Sequence, residues 1–191
     1  MSLCRDRRYN AGMRLIRHPD SQGLAVTAVE AEAASVGDGR LHFLYVVTGK
    51  IGDLLLPPVT ASARADELWR HTCFEAFLQI APGGGYHELN FAPSTRWAAY
   101  AFDGYRAGMR VATDIGSPLI VVQSSAARYT LEATLALSAS RSPEPARLGL
   151  SAIIEQADGA KSYWALAHPP GKPDFHHAAC FAQQFSAAVA P

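Results

Sequence analysis

A chain of 191 residues that sets 17 lysines and arginines against 17 aspartates and glutamates has no long-range pull on polyanions, and no basic run interleaved with aromatics supplies a nucleic-acid footprint. Hydrophobic residues at 49 % suffice for one sizeable core, while no apolar run approaches the ~18–20 residues of a membrane span. The three cysteines, Cys4, Cys73 and Cys180, are too few and scattered for a disulfide scaffold; reduced thiols and a cytoplasmic location are expected, with an encounter of Cys73 and Cys180 left open.

Residues 1–14 place Arg5, Asp6, Arg7 and Arg8 ahead of no apolar stretch, which is not a signal-peptide pattern. They read as a flexible N-terminus, with its Met-Ser-Leu opening a cloning remnant, and 15–191 as a single domain. That domain runs in short segments with turn signals between them, as in an all-β sandwich. Residues 24–30 and 41–48 are the first predicted strands, joined through Gly37-Asp38-Gly39. The second is apolar on both faces and is expected between two layers. Pro57-Pro58 excludes a regular central strand and marks a loop. Segments 86–91, 97–102, 118–123 and 162–168 add strands, with turns at Gly83-Gly84-Gly85 and Asp103-Gly104. In 129–137, Tyr129, Leu131, Ala133, Leu135 and Leu137 share one face, and in 148–155 Leu148, Leu150, Ala152 and Ile154 do so. The expected fold is a two-layer antiparallel β-sandwich of about nine to eleven strands, with short helical pieces in loops.

Residues 62–80 fit two templates. Trp69, Cys73, Phe77 and Ile80 recur at helical spacing behind a candidate cap at Ser62. Phe74, Ala76, Leu78 and Ile80 also alternate with Cys73, Glu75, Phe77 and Gln79 as in a strand. The division adopted is a short helical or irregular piece to about Leu68 and a strand from about Thr72.

Residues 68–80 (LWRHTCFEAFLQI) and 86–97 (YHELNFAPSTRW) resemble the central motif of family 9 carbohydrate-binding modules and the related DOMON-like domains. That motif has a tryptophan, a polar gap, a Glu-bearing strand, a turn, and a strand ending near a Pro and a small residue. Here these are Trp69, Glu75, the glycine turn and Ala92-Pro93-Ser94. The resemblance implies that Trp69 stacks on a sugar ring while Glu75 and Arg96 bind hydroxyls. His71-Thr72 stands where the family usually has an acid, and Ala92 where it commonly has Asn. The second stacking tryptophan has only Trp164, inside a strand, or Phe175 as stand-ins. On a straight strand Trp69 and Glu75 would be roughly 20 Å apart at ~3.3 Å per residue. A shared site therefore requires Trp69 on a loop that turns back over the strand.

Read from the residues, Trp69, Trp97 and Tyr86 offer aromatic faces, and His71, Glu75, His87, Asn90 and Arg96 offer hydrogen bonds. In a hairpin, Tyr86, Glu88 and Asn90 share one face and His87, Leu89 and Phe91 the other. At 168–181 three prolines and a glycine fix an extended loop with Lys172, Asp174, His176 and His177 crowded near its end. It is a pocket wall, or a clamp on buried backbone, or it offers His176 and Cys180 to a metal without a second spaced pair. The candidate site is Trp69, His71, Glu75, Asn90, Arg96, Trp97, Lys172 and His176, with no metal and no cofactor.

No GxSxG elbow, P-loop, GxGxxG or HExxH occurs, so a binding module for a carbohydrate or related polyol is expected rather than an enzyme. Two alternatives come with the resemblance. Some DOMON-like domains hold haem, which implies an electron-transfer domain with Met109 and one of His71, His87 or His176 as axial ligands. One subgroup is associated with a UDP-N-acetylenolpyruvoylglucosamine reductase, which implies an enzyme or regulatory partner of cell-wall precursor metabolism. This chain has no flavin-binding pattern of its own.

Overall fold

The computed structural model describes residues 12–36, 39–79, 84–137 and 146–185. The N-terminal segment through residue 11 with Cys4, Gly37-Asp38, Ile80, Gly83 and the last six residues of the predicted domain (186–191) lie outside the described residues.

The strands are β1 (Met13–Arg14), β2 (Ile16–Arg17), β3 (Val26–Ser35), β4 (Arg40–Gly49), β5 (Cys73–Gln79), β6 (Tyr86–Phe91) and β7 (Trp97–Phe102). They continue as β8 (Arg110–Val111), β9 (Leu119–Ser124), β10 (Arg128–Ala136), β11 (Ala146–Glu155), β12 (Lys161–Ala165) and β13 (Gln183–Phe185). Two antiparallel sheets result, one ordered β1-β3-β4-β10-β9 and the other β2-β12-β11-β5-β6-β7-β8, with β13 pairing the start of β11. The expected β-sandwich is the fold, and among the described residues its helical pieces are three short 3₁₀ turns at Ile51–Asp53, Leu68–Arg70 and Ala178–Cys180.

Period-two alternation sends one residue set of each strand into a shared core. Leu131, Ala133 and Leu135 of β10 meet Phe74, Leu89 and Leu150 of β5, β6 and β11 there, each at most 2 % exposed. A bond across the layers ties core to site: the Tyr45 hydroxyl, buried on β4, donates to the backbone carbonyl of Glu75 at 2.6 Å.

The ambiguous stretch resolves as a strand at Cys73–Gln79, preceded by the Leu68–Arg70 turn. Packing decides between the templates, because both faces of β5 are covered and each half of its residues has an apolar surface to meet. One expectation for β4 needs correction. It is central within its sheet, between β3 and β10, but not between two layers. On its outward face His42 and Val46 are buried, and Leu44, part-exposed, lies opposite Glu32 and Glu132.

Candidate functional site

The outward face of the eight-stranded sheet is built by the residues that alternation leaves out of the core. They are Cys73, Glu75 and Phe77 of β5, Tyr86, Glu88 and Asn90 of β6, Tyr100 and Phe102 of β7, Ser151 and Ile153 of β11, and Tyr163 of β12. A solvated sheet would expose such a face, yet Glu75 is 3 % exposed, Glu88 5 % and Asn90 1 %. Three segments from outside the strands rise over it, and with the sheet they border an open cavity of about 1230 Å³.

The first wall is the turn before β5. Glu67, in the left-handed region at φ 59°, caps the Leu68–Arg70 3₁₀ turn, and Trp69 on that turn borders the same cavity as Glu75. The turn meets the geometric demand on a shared site, since Trp69 is off the strand line. Neighbours hold the turn in place: Lys161 Nζ donates to the Arg70 carbonyl at 2.6 Å, His71 Nδ1 lies 2.7 Å from Glu155 Oε2, and Thr72 Oγ1 donates to the Leu55 carbonyl. Trp69 remains 47 % exposed.

The second wall follows β7, where Arg106, at φ 52°, donates its backbone N–H to the Tyr86 hydroxyl and its guanidinium to Asp174 at 2.8 Å. The third is the C-terminal loop. Phe181 stacks on Phe77 with ring centroids 5.7 Å apart, and His176 meets Phe77 and Phe102 edge-on. This docking depends on Gly149, where a Cβ would come within 2.8 Å of the Phe181 ring.

The floor is polar. Ser151 Oγ donates to Glu75 Oε2 at 3.2 Å, Asn90 Nδ2 donates to Glu88 Oε1 at 2.7 Å, and Cys73 Sγ donates to Asn90 Oδ1 at 3.4 Å. Glu75 pairs with Asn90 across the β5–β6 ladder, so Glu88, two residues away, is its diagonal neighbour on the same face. Burial first, and repulsion from Glu88 second, hold the Glu75 carboxyl well above the usual range, and burial raises Glu88. Burial, reinforced by Arg106, lowers His176 to about 4, so its ring is neutral at neutral pH. The Tyr86 hydroxyl accepts from Arg106 N and lies 2.7 Å from His176 Nδ1, while His176 Nε2 faces Glu88 Oε2 at 3.6 Å. Burial also raises the Cys73 thiol, and Cys180 is pushed up to about 12, so both behave as inert buried thiols.

With the geometry in view, known proteins can be compared. No family model matches the chain, and no curated protein does. Among solved structures, a "putative carbohydrate-binding protein" from Bacteroides uniformis superposes with a TM-score of 0.61 at 12 % identity, over 91 % of this chain and 84 % of that one. The chain shares that fold. A family 9 carbohydrate-binding module from Caldicellulosiruptor kristjanssonii, solved with cellotriose, aligns over 78 % of this chain and 72 % of its own at a TM-score of 0.42 and 15 % identity.

Of the residues predicted from sequence, Trp69, His71, Glu75 and His176 border one cavity. Asn90 lies beneath it and orients Glu88. Trp97 is elsewhere: with Ala99 and Ala101 it faces the inter-sheet core, 5 % exposed, with the Arg64 guanidinium 4.2 Å from its ring centroid. Arg96, on the turn between β6 and β7, and Lys172 are exposed and do not line the cavity. Sequence reasoning left Tyr100 and Arg106 outside the site and gave Glu88 no role in it. Parity would have found Tyr100, which shares a face with Phe102; Arg106 sits on an irregular loop with no periodic signal.

Of the residues named for the haem alternative, His87 faces the opposite side of β6, toward Asp114 at 3.4 Å, and the two ring nitrogens of His176 face Tyr86 and Glu88, whereas Met109 and His71, whose Nδ1 faces Glu155, border the cavity. Among the described residues no group of three or more His, Cys, Asp or Glu side chains is placed to hold a metal.

Proposed function

We propose that this chain is a non-catalytic binding module for a carbohydrate or related polyol, with its site on the outward face of the eight-stranded sheet. One observation carries the reading: a half-exposed tryptophan stands at the edge of a large open cavity whose floor is lined by buried, hydrogen-bonding side chains. A sugar ring has an apolar C–H face and a polar hydroxyl rim. Trp69 supplies a surface for the face. Glu75, Glu88, Tyr100, His176 and Arg106 supply acceptors and donors for the rim. The name of the Bacteroides uniformis neighbour is in keeping with this reading.

Calorimetric titration of the full chain against a panel of oligosaccharides tests it. At least one glycan is expected to bind, and Trp69→Ala is expected to weaken that binding by about 2 kcal/mol, roughly 30-fold in Kd, with the fold intact. A panel with no binder, or a binder indifferent to Trp69→Ala, would contradict the reading.

A further inference from the structure

The charges around the cavity are unevenly matched. At the rim each cation has a partner: Arg70 holds Glu67 at 2.7 Å, Arg106 holds Asp174 at 2.8 Å, Arg110 holds Asp103 at 2.6 Å, and Lys161 donates to the Arg70 carbonyl. At the floor, among the described residues, the two carboxyls bond only to neutral groups, Ser151 for Glu75 and Asn90 with the uncharged His176 for Glu88, while the Arg106 charge acts on both from the rim. Glu75 Oε1 receives no hydrogen bond from any described residue and opens onto the cavity, although only 3 % of the residue is exposed. Buried carboxylates are costly without a counter-charge, so an acidic floor under a cavity wide enough for a ligand is incomplete as it stands.

Resting on the binding reading above, we propose that the missing counter-charge comes with the ligand: the cavity takes an amino sugar, whose protonated amine seats between Glu75 and Glu88. An ammonium group has three donors and a full charge, and so answers both the open lone pair on Glu75 and the like-charge pair. A neutral hydroxyl answers only the lone pair.

The groups facing the two carboxyls are Cys73 and Phe77 along β5, Tyr86 and Asn90 along β6, Tyr100 on β7, Ser151 on β11, Arg106 after β7, and Asp174 with His176 from the C-terminal loop. Arg106 is the only cation in this set, and Asp174 already holds it. In the free protein the pair therefore retains a proton above the usual carboxyl range. Binding an ammonium favours both carboxylates, so a proton passes from the pair to the buffer as the amine enters.

The test is calorimetry on the full chain with a glucosamine tetramer and with cellotetraose, at about pH 6 where an aliphatic amine is charged, repeated in two buffers of different ionisation enthalpy. The amino tetramer is expected to bind about tenfold more tightly or better and to release a proton, which cellotetraose does not. In Glu75→Gln and Glu88→Gln the ratio of the two affinities is expected to fall to about one, with near-UV circular dichroism reporting that each variant is folded. Cellotetraose binding as well as the amino tetramer overturns the inference and leaves the binding reading standing. A preference that survives both Gln variants also overturns it, as does failure of both tetramers to bind, which leaves the binding reading to the wider glycan panel.

Discussion

On β10 of the five-stranded sheet the outward side chains are Thr130, Glu132 and Thr134, all part-exposed. On β6 of the eight-stranded sheet they are Tyr86, Glu88 and Asn90, all buried. Both strands alternate in the same way, and both carry a glutamate at the centre of the outward set. What separates them is the loops. Thr130, Glu132 and Thr134 stay part-exposed, with Glu132 paired to the His42 ring at 3.2 Å, whereas three segments rise over the second set and leave a cavity beneath. A part-exposed glutamate keeps contact with water; a covered one becomes a group whose ionisation must be supported by something else.

The largest difference between the faces is in stability. Phe181→Ala removes the ring by which the C-terminal loop docks on the sheet and is expected to cost about 3–5 kcal/mol in denaturant unfolding. Val121→Ala, on the outward side of β9 and 45 % exposed, is expected to stay within about 0.5 kcal/mol. Equal losses would erase the distinction.

The second difference is in pH dependence. His176 has its folded pKa lowered to about 4, below the ordinary value of 6.5. The unfolded chain therefore binds the proton more readily, and stability falls as pH drops from 6.5 toward 4. This loss is expected to be on the order of 2 kcal/mol, and His176→Gln is expected to flatten that limb of a Tm-versus-pH curve.

Glu75 works in the opposite sense. Its folded pKa is raised, so its favourable contribution is present below the unfolded pKa and is lost as pH rises through the folded one. Glu75→Gln is accordingly expected to stabilise the free protein by on the order of 1 kcal/mol at about pH 8 and to have less effect near pH 4. Glu132→Gln, at a part-exposed position and leaving His42 an acceptor, is expected to shift stability by no more than about 0.5 kcal/mol. A stabilisation by Glu132→Gln as large as that of Glu75→Gln would show that the covering loops have no effect on the acid beneath.

Much of the fold was legible because strand alternation leaves its mark locally. Leu131, Leu135, Leu148 and Leu150 reach the core as their spacing implies, and the hairpin parity that placed Glu88 and Asn90 together outside Leu89 and Phe91 holds. The site was legible only in part. Trp69, His71 and Glu75 lie in one continuous stretch, so a motif carries them. Trp97 lies near that motif in sequence, but one step of strand parity sends its ring to the core and Tyr100 to the cavity instead. Arg106 and His176 reach the cavity by long-range loop packing, through Asp174 and Tyr86, and no local spacing encodes that meeting.

Tryptophan emission gives the most direct test of the outward face as a ligand site. Trp97 and Trp164 are at most 5 % exposed, whereas Trp69 is 47 % exposed, so a ligand stacking in the cavity should change emission through Trp69 alone. The account predicts a saturable change on glycan titration that disappears in Trp69→Phe. No change with any glycan, or the same change in Trp69→Phe, would contradict it.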